Sequence, residues 1–317
     1  MANHVKISTI GARAPAGNPG TGQRAVERMI DHWRGRFAQV LPDRPDLIVV
    51  PECCDRFPAQ PMEERLAYYR YRGDQVRDFF ALTAREHRCH IAYPAVREMV
   101  DGSWRNSVQL IGRGGQVLGA YNKNFPVITE TTQGGILCGA DAELIECDFG
   151  RVGCAICFDL NFDEIRQRYV ESRPDLLIFP SMYHGGLMQP YWAYACRTHL
   201  VTAVCGLSSA VLSPVGHEIA STTNYFDFVT ASVNLDCRVA HLDFNGDKFR
   251  AMKEKYGPAV SIFDPGYLGS VLITSESEER SCDDLIVEFD IELLDDYMAR
   301  SIAHRADPQN CEQKGEE

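Results

Sequence analysis

Three side chains, met in the order Glu52, Lys123 and Cys157, are of the types needed to attack and cleave an acyl carbon–nitrogen bond. A thiol is a poor nucleophile until it is deprotonated. A carboxylate beside it can accept that proton and return it to a leaving amine. An ammonium beside both can stabilise a tetrahedral oxyanion and favour the thiolate. The backbone N–H of Phe158, next after the thiol, could donate to the same oxyanion. More than thirty residues separate one member of the set from the next, so only the fold can bring them together.

Each of the three closes an apolar run, which gives the fold a way to do so. LIVVPE delivers Glu52, VLGAYNKNF delivers Lys123 and RVGCAICFD delivers Cys157. Reactive groups at strand ends, held by a rigid sheet, are the common arrangement in α/β enzymes. Strands are expected over residues 5–10, 46–50, 90–93, 106–111, 115–121, 143–147, 152–156 and 176–179, with Gly-rich turns such as 112–115 between them. Ala25, Met29, Ile30, Trp33, Phe37 and Val40 recur at helical spacing and predict a helix over 22–41. Further helical stretches cover 63–87, with a possible break near Gly73, then 162–172 and 191–199, the last running into an apolar segment at 201–207. Strands follow over 209–212, 218–220 and 229–235. After Asp243 the pattern is less regular: a strand pair at 270–274 and 285–289, a helix at 291–302, and a polar tail over 307–317 expected to be disordered. Helix–strand alternation mixed with runs of adjacent strands predicts two sheets flanked by helices. No linker demands a second domain, so residues 1–245 are read as the core and 246–317 as a C-terminal extension of the same domain.

Bulk properties narrow the partners. A net charge of −12, from 44 acidic and 32 basic side chains, repels phosphate backbones and anionic lipid surfaces and argues against nucleic acid or membrane as the partner. No apolar run approaches the roughly 20 residues needed to span a bilayer, and no apolar core follows a basic N-terminal segment. A cytoplasmic protein is the expectation. Twelve cysteines without a secretion signal read as reduced thiols, most of them packing as small hydrophobes. Cys154 and Cys157 form a CxxC, but no second pair or spaced histidines accompany it, so a metal is not expected.

The motifs together resemble the nitrilase superfamily of carbon–nitrogen hydrolases. LIVVPE matches the pattern around that family's Glu, YNKNF the pattern around its Lys, and GCAICFDLNFDE the pattern around its Cys, in the same order. PDLLIFPS and the segment from Trp192 through Arg197 to Gly206 are similar to family elements too, so the resemblance spans roughly residues 5 to 240. It implies a four-layer α-β-β-α sandwich and catalysis through a Cys acyl-enzyme without a cofactor. It also implies assembly into a homodimer or larger homo-oligomer and a second glutamate after the lysine, matched by Glu130 in KNFPVITE. Phe158 stands where many members have Tyr, and no familiar pattern follows Asp243.

Plainer roles compete at several positions. Cys157 could be one more core thiol, Lys123 a solvated lysine, and Glu130 a water-facing residue of a polar loop over 129–135. Asp159 could cap a helix beginning near Asn161. Tyr183 and His184, in SMYHGG, could line the pocket and read a small-molecule substrate, or simply face water. Arg197 could bind a carboxylate or only salt-bridge. The expected activity is hydrolysis of a small amide or N-carbamoyl compound. Nitrile hydrolysis is the alternative, less favoured because Phe158 and Asp159 follow the cysteine where nitrilases usually show Trp and Glu. A non-catalytic binding protein that keeps the fold is the other alternative.

Overall fold

The computed structural model describes residues 1–58 and 60–312. The chain forms two compact units, Val5–Val233 and Met1–His4 with Asn234–Glu317. In the larger unit β1 (His4–Ile10), α1 (Gln23–Val40), β2 (Leu47–Val49), α2 (Met62–Arg72), α3 (Gln75–His87), β3 (His90–Glu98), β4 (Trp104–Ile111) and β5 (Val117–Asn122) come first. They are followed by α4 (Ile128–Gly134), β6 (Ile145–Cys147), β7 (Gly150–Cys154), α5 (Asp163–Ser172), β8 (Leu176–Ser181), α6 (Met188–Cys196), β9 (His199–Val204), β10 (Ala210–Leu212), β11 (Glu218–Ser221) and β12 (Phe228–Asn234). One six-stranded sheet runs β12-β1-β2-β3-β4-β5 and a second runs β11-β10-β9-β8-β7-β6.

The central pairs β1/β2/β3 and β7/β8/β9 are parallel, and antiparallel strands flank them. Leu47–Val49 and His199–Val204 are buried along their whole length, as strands covered on both faces must be. One face meets helices: α1 and α3 on the first sheet, α5 and α6 on the second. The other faces meet each other, with the Thr9 hydroxyl donating to the Thr202 carbonyl at 2.6 Å. The result is an α-β-β-α sandwich. The helical spacing read from α1 buries Ala25, Met29, Trp33, Phe37 and Val40 against α3 and the first sheet. The break near Gly73 is real: with φ of 50° it ends α2 before α3 begins.

The smaller unit holds β13 (Cys237–His241), α7 (Gly246–Tyr256), β14 (Val260–Phe263), β15 (Ser270–Ser275), α8 (Cys282–Glu288) and α9 (Leu294–Ala306). Its three strands pair antiparallel in the order β13-β15-β14. The strand expected at 270–274 is present, but residues 285–289 lie in α8 and its C-cap. A short apolar LIV run cannot by itself tell strand from buried helix. Ser281 decides it, accepting the Asp284 N–H while Asp284 reaches back to the Ser281 N–H. Of the tail expected to be disordered, Pro308–Asn310 form a 3-10 turn capped by Asp307, and residues 313–317 lie outside the described residues. Among the described residues no helix is long and apolar enough to cross a membrane.

Asp55 and Arg72 bury an ion pair beside α2, with side chains 0% and 4% exposed. Arg72 also donates to the Tyr93 hydroxyl at 2.8 Å and to the Val96 carbonyl at 2.6 Å. Removing one partner strands the other charge in the core. Arg72→Met should therefore lower unfolding free energy by about 3–5 kcal/mol in urea titration, and Asp55→Asn in the same chain should restore part of it. A loss below about 1 kcal/mol, the surface-pair range, would contradict this account of the turn after β2.

Candidate active site

Glu52, Lys123 and Cys157 each lie one to three residues beyond a strand end. Glu52 follows β2, Lys123 follows β5, and Cys157 follows β7 and opens a 3-10 turn over Cys157–Asn161. Close backbone packing fixes two of these ends. The Gly139 N–H donates to the Lys123 carbonyl at 2.7 Å, so near that a Cβ at 139 would collide with the Asn122 carbonyl. In β7, a Cβ at Gly153 would meet Leu177 at 2.7 Å and Tyr169 at 2.8 Å, so the strand leading to the thiol lies flush against β8 and α5. Cys157 has φ of 50°, a conformation that costs a non-glycine residue of order 1 kcal/mol or more. The sharp turn lifts the thiol out of the sheet, leaving it half-exposed while Cys154 stays in the core.

The charged groups converge. Lys123 Nζ donates to Glu52 Oε1 at 2.8 Å and to Glu130 Oε2 at 2.9 Å, with the ammonium side chain 2% exposed. Asn106 Nδ2 donates to Glu52 Oε1 at 2.8 Å and to Glu130 Oε1 at 3.0 Å. Met182 N–H donates to Glu52 Oε2 at 3.2 Å. The Glu52 and Lys123 charges both act on the Cys157 thiol. Burial works against every charge here, and the pairing overrides it. It would raise Glu52, but Lys123 holds its carboxyl below the usual range. It would lower Lys123, but Glu52 and Glu130 raise the ammonium and keep it charged. For Cys157, burial and then the Glu52 charge push the thiol up to about 12, with Lys123 opposing. The resting site is thus a neutral thiol beside an ionised base.

Asp159 joins the segments that carry Lys123 and Cys157. Its Oδ1 accepts the Phe125 N–H at 2.8 Å, and its Oδ2 accepts the Tyr121 hydroxyl at 2.8 Å and the Ile156 N–H at 2.9 Å. Burial pushes its carboxyl up to about 6 against these donors. The helix-cap expectation for Asp159 is therefore corrected: α5 is preceded by Phe162, and Asp159 spans the loop after β5 and the turn after β7.

A carbon-nitrogen hydrolase family model matches residues 17–211. The chain belongs to the nitrilase superfamily of carbon-nitrogen hydrolases. Solved members share its fold at low identity. A carbon-nitrogen hydrolase from Helicobacter pylori G27 aligns with a TM-score of 0.64 at 17% identity, covering 74% of this chain and 90% of its own. Saccharomyces cerevisiae Nit3, of branch 10 of the nitrilase superfamily, gives 0.61 at 13%, covering 81% and 95%. A mutant amidase from Nesterenkonia sp. AN1, with the acetamide moiety of fluoroacetamide added at its active-site cysteine, gives 0.64 at 16%, covering 80% and 97%.

Within this nitrilase-superfamily site the structure brings Glu52, Lys123, Glu130 and Cys157 together. Glu130 lies in the first turn of α4, where its carboxylate also accepts the Val127 N–H at 2.9 Å, so the polar loop expected over 129–135 is a short helix. Tyr183 is half-buried beside the cluster, its hydroxyl accepting from Asn161 Nδ2 at 2.9 Å. Burial and then the neighbouring Cys157 raise its phenol, with the Asn161 hydrogen bond opposing. The Phe158 ring is 39% exposed and meets Phe162 edge-on. His184 stays on the exposed loop, its Nδ1 taking the Gly186 N–H at 3.2 Å. Arg197 turns back to the Tyr194 carbonyl and ring. Asn106, which bridges both glutamates, carried only one sequence signal, a polar residue opening a strand.

The electrostatics predict a sign. Glu52→Gln removes the anion that disfavours the thiolate and leaves Lys123 in place, so the Cys157 pKa should fall. Iodoacetamide alkylation, followed by peptide mapping across pH, should show the Cys157 midpoint moving to lower pH in Glu52→Gln. An unchanged or higher midpoint would contradict the arrangement.

Proposed function

We propose that this protein hydrolyses the carbon–nitrogen bond of a small amide or N-carbamoyl compound through a thioester on Cys157. The observation that carries this reading is the buried Lys123 ammonium bound at 2.8 Å to Glu52 and 2.9 Å to Glu130, with both the Glu52 and the Lys123 charge acting on the Cys157 thiol. The Cys157 sulfur attacks the acyl carbon as Glu52 takes the thiol proton. The carbonyl electron pair moves onto oxygen, where Lys123 and the Phe158 N–H donate to it. Lys123 has three N–H bonds and two carboxylate partners, so one remains for the substrate. The Phe158 N–H has no backbone acceptor among the described residues. As the oxyanion collapses, Glu52 returns the proton to nitrogen and the amine leaves. Water then attacks the thioester, again losing its proton to Glu52, and the acid departs with Cys157 restored.

In this scheme Glu130 does not touch the reacting atoms; it positions Lys123 and shares its charge. The adduct at the active-site cysteine of the amidase on the same fold supports a nucleophilic thiol at this position. The test is ammonia release from a panel of primary amides, N-carbamoyl compounds and nitriles. Wild type should release ammonia from amides or N-carbamoyl compounds, and Cys157→Ala should release none. Glu130→Gln should lower kcat by about 10²–10³, the range for weakened oxyanion stabilisation, with a smaller effect on KM. Full activity in Cys157→Ala, or turnover of nitriles alone, would overturn the assignment.

A further inference from the structure

The first sheet carries a cavity on the face turned away from the catalytic groups. Strands β3 and β4 pair antiparallel, with Tyr93 opposite Gln109, Ala95 opposite Ser107 and Arg97 opposite Arg105. Successive side chains of a strand point to opposite faces, so these three pairs share one face. Asn106, between Arg105 and Ser107, points to the other, where it donates to Glu52 and Glu130. A cavity of about 220 Å³ is lined from the first of these faces by Tyr93, Ala95, Arg97 and Gln109, and from the end of α2 by Arg70 and Arg72.

Arg97 and Arg105 are like charges set directly opposite each other, which costs a sheet stability. Neutral groups hold Arg97 in place: its Nε donates to Ser107 Oγ at 3.1 Å and its Nη2 to Asn122 Oδ1 at 3.1 Å. The Ser107 hydroxyl in turn donates to Asn122 Oδ1 at 2.6 Å. The two bonds from Arg97 leave three of its five guanidinium N–H groups open. The acids that line the cavity are engaged elsewhere. Glu98 pairs with Arg70 at 3.4 Å and Asp74 with Arg77 at 3.0 Å, while Arg72 is taken by Asp55. Among the described residues Arg97 is thus the one cation of the cavity without an ion pair. Burial and then Arg105 hold its guanidinium below the usual range, with no carboxylate opposing them. Gln109 is a second unmet group. Its side chain is 6% exposed and makes no hydrogen bond among the described residues, yet it lines the same cavity. A charge or amide drawn out of water is stabilised by a partner, and a guanidinium fork meets a carboxylate through two parallel N–H···O bonds.

The spacing of the two groups selects the ligand. Gln109 faces Tyr93, four residues from Arg97 along β3, which is about 13 Å of strand at roughly 3.3 Å per residue. The guanidinium covers part of that span by reaching back to Ser107, which stands opposite Ala95. Ala95 lies midway and gives the cavity an apolar surface there. A compact inorganic anion seated on Arg97 would leave the Gln109 amide unmet. We infer that this cavity binds a small organic carboxylate. Its carboxylate meets Arg97, its hydrocarbon body lies along Ala95, and a neutral polar group at its far end meets Gln109. The site is separate from Cys157 and does not rest on the hydrolase reading.

The test is isothermal titration calorimetry of the full chain with 4-hydroxybutyrate, which has no carbon–nitrogen bond to cleave. The controls are 1,4-butanediol, butyrate and inorganic phosphate. Wild type should bind 4-hydroxybutyrate in the millimolar range or tighter and bind the neutral diol at least tenfold more weakly, the scale of a charge-assisted contact. Arg97→Gln should weaken 4-hydroxybutyrate by the same factor, and Arg97→Lys should keep part of the affinity. Gln109→Leu should weaken 4-hydroxybutyrate and leave butyrate unchanged. Should Arg97→Gln fail to fold, Arg105→Gln removes the facing charge without touching the cavity lining and should weaken 4-hydroxybutyrate but not the diol. Cys157→Ala should bind as wild type does, whatever its effect on ammonia release, which separates this site from the catalytic one. Four results would overturn the proposal: no binding of 4-hydroxybutyrate in the millimolar range, binding that Arg97→Gln leaves intact, binding lost in Cys157→Ala, or Arg97-dependent binding of phosphate with none of 4-hydroxybutyrate.

Discussion

A lone ammonium as deeply buried as Lys123, 2% exposed, would shed its proton or destabilise the fold around it. It survives because two carboxylates reach it from different segments, Glu52 after β2 and Glu130 in α4. Each of those carboxylates would in turn be intolerable without the ammonium. The three charges are therefore conditional on one another, and the strands must bring them within hydrogen-bond distance before any can stay ionised. Asn106 ties the two glutamates together with its amide and has no charge to add. What emerges is a polar network satisfied enough to be rigid, with a donor left over for chemistry.

The thiol depends on that network in a different way. Burial and then the Glu52 charge keep the Cys157 thiol protonated at rest, and in the proposed reaction that same carboxylate takes its proton. Such a thiol is quiet until a polarised acyl carbon arrives, since only then do proton loss and bond formation support each other. Asp159 holds the geometry by gripping the Ile156 N–H before the thiol and the Phe125 N–H after the lysine. A shift of either segment would pull on the same carboxylate.

Much of this was legible in the sequence because strand ends announce themselves. An apolar run that stops at PE, at NK or at a lone C before an aromatic residue leaves a reactive side chain where a surface loop would not need one, and all three lie in the cluster. Glu130 was legible from family resemblance, but its setting was not: PVITETTQGG reads as a polar loop, and only the return contact from its carboxylate to the Val127 N–H makes it a helix start. Asn106 and Asp159 escaped for a common reason. Their roles are to hold other groups through tertiary hydrogen bonds, and neither composition nor spacing encodes such partners. The smaller unit is the least legible: the LIV run of α8 fits a buried strand as well as a helix, and α7, β13 and β14 carry no periodic signal strong enough to single out.

The central claim is that the buried Lys123 pair makes Cys157, out of twelve cysteines, the one that accepts an acyl group. The most direct measurement is to quench wild type in acid during turnover of an amide substrate and map the acylated peptide by mass spectrometry. The account predicts an acyl mass on the peptide containing Cys157, formed and lost at rates compatible with turnover. An acyl group on any other cysteine, or turnover with no acylated thiol under conditions that preserve a thioester, would contradict it.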